Sequence, residues 1–290
     1  MRIDAHQHFW KYNERDYGWM GAGMEALKHD HLPENLCPQL RDAGFAGSVA
    51  VQARQSLEET RWLLELADRF PSIVAVVGWV DLRNPGVRSQ LVAFASNPKL
   101  RGMRHVVHDE PDDRFLLSSD FQRGISYLTS FGLTYDLLLF PRHLPIACEF
   151  VAAFPQHSFV LDHVGKPSIR RRQIADWSCD IRRLARYPNV YCKLSGMVTE
   201  ADWSDWSPDD FTPYLDTALE AFGPWRLMIG SDWPVCIIAA SYQDTMDLVQ
   251  NYVARLTREE QHAILGENAA RFYHILSPQP CADGESGGKT

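Results

Sequence analysis

The chain begins with Met1-Arg-Ile-Asp-Ala-His6-Gln-His8, and the fold that we predict follows from this stretch. In an extended strand, side chains two residues apart point to the same face, so Asp4, His6 and His8 are expected to share one direction. The two imidazoles would then lie about 6–7 Å apart along the strand and could converge on one metal ion. The first strand of a closed parallel barrel is the setting in which such a strand end opens into a pocket.

A second stretch, far along the chain, supports the metal hypothesis. Leu227-Met-Ile-Gly-Ser-Asp232-Trp-Pro is an apolar strand that ends in a carboxylate. A carboxylate is costly to bury unless a cation accompanies it. A His-x-His pair alone also occurs at protein surfaces and in cores, so the hypothesis depends on this distant aspartate.

Short apolar segments alternate with amphipathic segments through the rest of the chain. Capping boxes at Ser56–Glu59 and Thr257–Glu260 mark two helix starts, and Gly44 ends the first helix. The predicted strands cover residues 1–8, 47–52, 73–80, 100–106, 133–138, 158–163, 189–196 and 227–232. Eight strands, each followed by a helix, predict an α/β fold of the (β/α)8 TIM-barrel type. An open doubly wound sheet is disfavoured, because no Gly-x-Gly-x-x-Gly follows a strand and polar residues end almost every one.

The composition is that of a globular protein and argues against several functional classes. The 290 residues are 45% hydrophobic and 23% charged, which suits one barrel domain over residues 1–276. The net charge of −8 argues against a nucleic-acid partner, because phosphate backbones are bound by clustered cations. No signal peptide and no run near 18 apolar residues is recognisable, so we expect no membrane partner and a cytoplasmic location. The six cysteines are scattered, which is typical of reduced thiols.

Two segments stand outside the alternating pattern. Residues 9–32 form a long aromatic loop, which is either a lid over the pocket or a segment packed on the barrel exterior. Residues 277–290 are rich in Pro, Gly and polar residues, and we expect a disordered tail there. The sequence leaves open whether copies of the chain form a homo-oligomer.

Polar residues at the predicted strand ends supply the candidate site, because these ends face one pocket in a barrel. We expect His6, His8 and Asp232 to bind one divalent metal, with Zn²⁺ favoured by nitrogen and oxygen ligands. Asp232 would also take a proton from water, and His163 is either a further ligand or an acid–base group. Arg104 would hold a carbonyl oxygen in the catalytic centre. The candidate substrate-binding residues are His105, Trp10, Gln52, Trp79, Lys193 and Trp233.

Each of these assignments has a structural alternative. Arg104 and His105 are neighbours on one strand, so at most one is expected to point squarely inward. His163 could instead be held through Asp162 or a backbone carbonyl. The tryptophans offer flat faces for a sugar ring, but they could equally be core residues.

Together these motifs resemble the amidohydrolase superfamily. The segments that carry the resemblance are Asp4-Ala-His6-Gln-His8-Phe-Trp10, Gly102-Met-Arg104-His105, Leu161-Asp162-His163-Val-Gly165-Lys166-Pro167, Lys193-Leu-Ser195-Gly196, Gly230-Ser-Asp232-Trp-Pro234 and Asn268-Ala-Ala-Arg271-Phe. Within the superfamily, the chain is most similar to the branch of L-fuconolactonase, L-rhamnonolactonase and pyrone-dicarboxylate lactonase. The resemblance implies a distorted barrel in which His6, His8, His163 and Asp232 surround a hydrolytic water.

The chain departs from the two-metal members of this superfamily. It has no lysine for carboxylation at the end of the fourth strand, and Tyr135-Asp136 stands where many members place a histidine. The resemblance therefore implies one ion at most, and some relatives in this branch are thought to need none.

The first functional hypothesis is a lactonase that opens a sugar-acid lactone, L-fuconolactone before L-rhamnonolactone or related aldonolactones. The alternatives are a metal-dependent decarboxylase, a pyrone-dicarboxylate-type lactonase and a non-catalytic binding barrel. A dicarboxylate would need several cations, and the strand ends offer only Arg104, Lys193 and, just beyond, Lys166. This count favours a neutral sugar lactone as the small-molecule partner.

Overall fold

The computed structural model describes residues 1–275, and its centre is a sheet of eight parallel strands in sequential order. The strands are β1 (Ile3–Gln7), β2 (Gly47–Val51), β3 (Ile73–Gly78), β4 (Leu100–His105), β5 (Thr134–Leu137), β6 (Phe159–Leu161), β7 (Val190–Leu194) and β8 (Leu227–Ile229). The sheet closes just past β8, where the Asp232 amide donates to the His6 carbonyl (2.8 Å) and the His8 amide to the Trp233 carbonyl (2.6 Å). The predicted barrel is confirmed.

Helices alternate with the strands, as the sequence predicted. They are α1 (Pro33–Asp42), α2 (Leu57–Arg69), α3 (Val87–Ala95), α4 (Ser119–Leu128), α5 (Leu144–Ala152), α6 (Ala175–Leu184), α7 (Pro208–Phe222), α8 (Tyr242–Val253), α9 (Arg258–His262) and α10 (Asn268–Phe272). The Ser56 hydroxyl accepts from the Glu59 amide at the start of α2, and Thr257 and Glu260 cap α9 reciprocally. Both predicted helix starts are thus in place.

Apolar side chains fill the barrel on both sides of the strands. The outer layer packs strand residues such as Tyr135 and Leu161 against the surrounding helices. The inner layer includes Ile3 and Met228, and Phe272 of α10 and the following Tyr273 pack against it. Ahead of α10, Gly266 approaches Met1 so closely that a Cβ would lie 2.1 Å from the Met1 carbonyl oxygen. This contact places α10 under the end of the barrel where β1 begins.

All eight strands end one to three residues earlier than predicted, and at β6 and β8 this determines how catalytic side chains are aimed. β6 stops at Leu161 and β8 at Ile229, whereas the sequence predicted them to run to His163 and Asp232. Beyond these ends, φ is 53° at His163 and 58° at Asp232. This left-handed region is uncommon for residues other than glycine, and it turns a side chain away from the strand's two-residue alternation.

Residues 9–32 form a small cluster at the rim of the barrel. Trp10, Tyr17, Met20 and Leu27 are buried together, and they pack against Ala53 and the segment around 235–238. Those two contacts follow β2 and β8, so the loop lies at the carboxyl ends of the strands and not on the helical exterior. Its movement as a lid stays a prediction.

Three further expectations concern the chain as a whole. The predicted disordered tail, residues 277–290, lies outside the described residues. Within residues 1–275, no helix combines the length and apolar character needed to span a bilayer. In the same part of the chain, Cys37, Cys148, Cys179, Cys192 and Cys236 are free thiols.

Candidate active site

The first strand brings His6 and His8 together at the barrel mouth, with their Nε2 atoms 3.3 Å apart. Its pairing with β2 shifts register between Asp4 and Gln7. The prediction that Asp4 shares the direction of the two histidines is wrong, because this irregularity breaks the two-residue alternation. The Asp4 carboxylate instead accepts from the Ser231 amide (2.9 Å) and hydroxyl (2.6 Å). Asp4 thereby ties β1 to the turn that carries Asp232.

Asp232 lies among three imidazoles. Its Oδ1 is 3.3 Å from His8 Nε2 and 3.8 Å from the Nε2 atoms of His6 and His163. Burial raises the pKa of the Asp232 carboxyl, but its surroundings, led by His163 and His8, lower that pKa by more, so that it lies below its ordinary value. The carboxyl is therefore ionised at neutral pH, as a general base must be.

His6, His8 and Asp232 have the geometry of a metal-binding triad. His8 Nδ1 lies 2.8 Å from the Val51 carbonyl oxygen and must donate to it, which leaves the lone pair on Nε2. The three ligand atoms are separated by 3.3, 3.3 and 3.8 Å. Ligands of a tetrahedral zinc ion, bound at roughly 2.0–2.1 Å, lie about 3.4 Å from one another. The triad could therefore hold one divalent ion.

His163 reaches the same centre from the left-handed turn after β6. Its Nδ1 is 3.0 Å from Ser195 Oγ, so Ser195 and not Asp162 or a backbone carbonyl holds the ring. The Trp177 indole donates to the Val164 carbonyl (2.8 Å) and fastens the turn. Burial lowers the pKa of His163 well below its usual range, so the ring is neutral at neutral pH.

A buried ionic network lies between the imidazoles and α10. Lys193 Nζ is 2.9 Å from Asp162 Oδ1 and 3.1 Å from His6 Nδ1, and it also pairs with Asp136 Oδ2. Tyr273 donates to the same Asp136 oxygen (2.7 Å). Substrate binding by Lys193, which the sequence suggested, does not fit this arrangement, because the side chain is fully buried between two carboxylates.

Lys193 also bears on the number of metal ions. His6, Asp162 and His163 form a second group of possible ligands. The Lys193 ammonium already lies against His6 and Asp162. Burial raises the pKa of Asp162, but Lys193, His6 and Arg104 together lower it by more, so that the pKa falls well below its usual range. A lysine cation thus stands where a second ion would bind, which supports the expectation of a single ion.

Arg104 points into the barrel, and its neighbour His105 points away from it. Arg104 Nη1 donates to Asp162 Oδ2 (3.1 Å) and lies 3.3 Å from His6 Nε2, while Nη2 donates to the Gln52 carbonyl. His105 instead places Nε2 2.6 Å from Glu110 Oε1. Only one of the two points to the catalytic centre, as expected for adjacent strand residues, and His105 has no place there.

The predicted aromatic contacts divide into one half-buried ring and two buried ones. Trp79 is half-buried, and its indole donates to His105 Nδ1 (3.2 Å), which fixes the ring. Trp10 is buried and donates to two carbonyl oxygens of its own loop. Trp233 is buried against Phe9. Of these three, Trp79 alone could present its ring to a substrate.

Gln52 is buried beside Arg104 and not exposed at the mouth. Its Nε2 lies 3.4 Å from the Arg104 carbonyl oxygen, and its own carbonyl accepts from the Arg104 guanidinium. The reciprocal contact fixes the height of Arg104 in the barrel. We therefore expect Gln52 to act on Arg104 and not on the substrate directly.

Residues at the mouth that were not selected from the sequence include Lys166, Glu200 and His108. Lys166 Nζ is 2.8 Å from Glu200 Oε1. The His108 ring packs on Phe140, with 4.5 Å between ring centroids, and burial followed by the Lys166 charge lowers the pKa of His108 to about 4. Lys166 belongs to the recognised Leu161–Pro167 motif, which was a usable signal. Glu200 and His108 lie in loops, where isolated charged or polar residues resemble any solvated surface.

The family model described as Amidohydrolase matches residues 3–275, a range that contains every residue of this site. The chain belongs to the amidohydrolase family. This result confirms the resemblance drawn from the strand-end motifs, and it agrees with the barrel and the buried histidine–aspartate cluster.

Relatives of this amidohydrolase are similar over nearly their full length. The L-fucono-1,5-lactonase of Burkholderia multivorans is 46% identical, with 96% of this chain and 97% of that protein covered. The L-fucono-1,5-lactonase of Burkholderia ambifaria is 36% identical, again covering 96% and 97%. A crystal structure of an amidohydrolase from Burkholderia multivorans with bound zinc superposes with a TM-score of 0.92 at 45% identity, covering 95% of this chain and all of that one.

Proposed function

We propose that this amidohydrolase hydrolyses a sugar-acid lactone, with L-fucono-1,5-lactone as its preferred substrate, to the open aldonate. The observation that carries the proposal is the ionised Asp232 carboxylate, whose oxygen has three imidazole nitrogens within 3.8 Å at the barrel mouth. A water bound there has a base beside it. The L-fucono-1,5-lactonases that are 46% and 36% identical over nearly their whole length support the choice of substrate.

The proposed reaction uses Asp232 twice. Asp232 takes a proton from water as the water oxygen bonds to the ester carbonyl carbon. The bond between that carbon and the ring oxygen then breaks, and Asp232 returns the proton to the departing oxygen. The product is a hydroxy acid, which releases a proton to solvent at neutral pH. Arg104 and neutral His163, both beside this centre, would donate hydrogen bonds to the carbonyl oxygen that becomes negatively charged.

His6, His8 and Asp232 would hold a divalent ion, for which we propose zinc. When bound, such an ion lowers the pKa of a water and polarises a carbonyl group. The fit rests on the separations of the ligand atoms and on the His8 tautomer, which the Val51 carbonyl fixes. Asp4 supports the same centre by holding the turn that carries Asp232.

Lactone hydrolysis by the purified protein tests the proposal directly. We expect acid release from L-fucono-1,5-lactone, measured with a pH indicator and corrected for spontaneous hydrolysis, and slower release from other aldonolactones. The variant Asp232→Asn should lose about 10²–10⁴-fold in kcat/KM, the range of a missing general base. Asp209→Asn, which removes an exposed carboxylate at the start of α7, is the matched control and should keep full activity.

Two outcomes would contradict this assignment. Absence of turnover with every lactone in the panel would reject the lactonase proposal, whatever metal the protein contains. Turnover by Asp232→Asn at the parent rate would reject Asp232 as the base. Circular dichroism and metal analysis of both variants would separate a lost base from a lost fold or a lost ion.

A further inference from the structure

The segment after β6 is an unusual run of left-handed residues. Four consecutive residues have positive φ, namely His163 (53°), Val164 (53°), Gly165 (72°) and Lys166 (50°). A β-branched residue such as Val164 is rarely found there, and such strain clusters at functional sites. The Lys166 amide donates to the His163 carbonyl (2.8 Å), which closes these four residues into one tight turn.

This turn presents two side chains to the same region. Residues three apart in a turn of this pitch lie on the same side. His163 faces Asp232, so Lys166 is brought to the mouth above the catalytic centre.

Lys166 does not stand at the mouth as a free cation. Its ammonium lies 2.8 Å from Glu200 Oε1, and Glu200 comes from the short turn Val198–Glu200 that follows β7. The Lys166 and Glu200 side chains are 17% and 21% exposed, so a molecule entering the barrel could reach both. Because the pair comes from two different strand-end loops, its geometry is set by the closed barrel.

Charge pairing extends to the other cations around the catalytic centre. Arg104 pairs with Asp162, and Lys193 pairs with both Asp136 and Asp162. Lys166 and Glu200 complete the set, so three cations face three carboxylates. Each of these three side-chain cations is therefore paired with a carboxylate, so that, apart from the divalent ion proposed for His6, His8 and Asp232, they offer no unpaired positive charge to an anionic substrate.

We propose that Lys166 and Glu200 together select neutral lactones, by binding vicinal hydroxyl groups and by leaving no free cation for a substrate carboxylate. The proposal rests on the proposed lactonase function and names residues that determine its specificity. An ammonium donates hydrogen bonds and a carboxylate accepts them, so a fixed pair suits a diol, which can do both. A substrate carboxylate at this place would lie against Glu200 and be repelled.

The variant Glu200→Gln tests this inference, because it keeps the shape of the side chain and leaves Lys166 unpaired. The probes are L-galactonolactone and the galactarolactone of the same ring size, which carries a carboxylate in place of the terminal hydroxymethyl group. We expect the ratio of kcat/KM for the charged lactone over the neutral lactone to rise about tenfold or more, because a charge-assisted hydrogen bond becomes available. Glu200→Asp, which restores the charge, should return the ratio towards that of the parent.

A matched control and a second measurement make the outcome decisive. Glu220→Gln breaks the exposed ion pair between Glu220 on α7 and Arg182 on α6, away from the mouth, and should leave the ratio unchanged. Galactonate and galactarate are both anions at C1 and differ by the same terminal carboxylate. Their calorimetric binding therefore measures the effect of that added charge without turnover, and it still tests the charge selection if the parent hydrolyses no lactone. If the parent hydrolyses no lactone, the lactonase proposal is rejected, but the selectivity proposal is still tested by the binding measurement. A ratio within twofold of the parent in Glu200→Gln, by both measurements, would overturn the selectivity role.

Discussion

Burial affects the acids and bases of this site in opposite directions, and the neighbouring charges decide the result for each residue. Burial raises the pKa of Asp162, but Lys193, His6 and Arg104 together outweigh it and hold that pKa well below its usual range. For His163, burial dominates and lowers the pKa. An anionic carboxylate and a neutral imidazole can therefore lie close together at one pH. Both pKa values fall, but for different reasons, since neighbouring charges act on Asp162 and burial acts on His163.

His157 shows the effect of burial on a residue outside the site. Its Nδ1 is 3.0 Å from Thr129 Oγ1, and burial lowers the pKa of His157 from 6.5 to about 4. Below pH 6.5 the unfolded chain binds a proton that the folded chain binds only near pH 4. The stability that neutral, buried His157 contributes is therefore fully present above pH 6.5. It is lost as the pH falls from 6.5 to about 4, and the loss is about 3 kcal/mol for this group.

Urea unfolding at pH 7 and pH 4 measures this contribution. We expect His157→Gln to lose about 3 kcal/mol less than the parent between these two pH values, because the buried titrating group is gone. His262→Gln changes an exposed histidine of α9 and should follow the parent curve. Parallel curves for the parent and His157→Gln would show that His157 titrates normally in the folded protein.

At the scale of the elements, the turns after β6, β7 and β8 aim the catalytic side chains. Gly196 follows β7 with φ at 58°, and a Cβ there would lie 2.4 Å from His163 Nδ1. A side chain at position 196 would collide with His163, so only glycine lets the two turns pack together. The left-handed backbone conformation of Gly196 also disfavours other residues. The glycine thus keeps His163 in place between Ser195 and Asp232.

Gly196→Ala and Gly132→Ala separate backbone strain from this close approach. Gly132 has a similar φ of 65°, but a Cβ added there would have no atom within 4 Å. We expect Gly132→Ala to cost about 1 kcal/mol of stability with full activity, from the left-handed conformation alone. Gly196→Ala should cost more and lower kcat by about 10²-fold or more, because the imidazole must move. Equal activity of the two variants, by lactone hydrolysis, would contradict this account.

At the scale of the whole molecule, the end of the chain is joined to the catalytic centre through the barrel interior. Tyr273 follows α10 and donates to Asp136 (2.7 Å), Asp136 pairs with Lys193, and Lys193 lies 3.1 Å from His6 Nδ1. All four side chains are fully buried. A buried network of this kind is stabilising only while every member has its partner.

Tyr273→Phe removes one hydrogen-bond donor of this network, and Tyr252→Phe, which removes a similar donor at the surface, is its control. Tyr252 donates to Asp216 at the same 2.7 Å, but the Asp216 side chain is 42% exposed. We expect Tyr273→Phe to lower the free energy of unfolding by about 1–3 kcal/mol, since buried Asp136 loses a donor that water cannot replace. Tyr252→Phe should cost less than about 1 kcal/mol. Equal losses in thermal or urea unfolding would show that the network adds nothing beyond an ordinary hydrogen bond.

The sequence by itself determined the alternation of strands and helices, the barrel and the positions of His6, His8 and Asp232. These features depend on local periodicity and on the rule that strand ends in a barrel share one face, so they can be read in chain order. The family resemblance followed from the same strand-end motifs.

The tertiary structure decided which side chains meet. The register shift that turns Asp4 away from His6, and the left-handed turns at His163 and Asp232, depend on backbone angles that the two-residue period does not encode. The burial of Lys193 between carboxylates and the pairing of Lys166 with Glu200 join residues from different strands. Such contacts exist only once the barrel is closed, because closure is what brings those strand ends to one place.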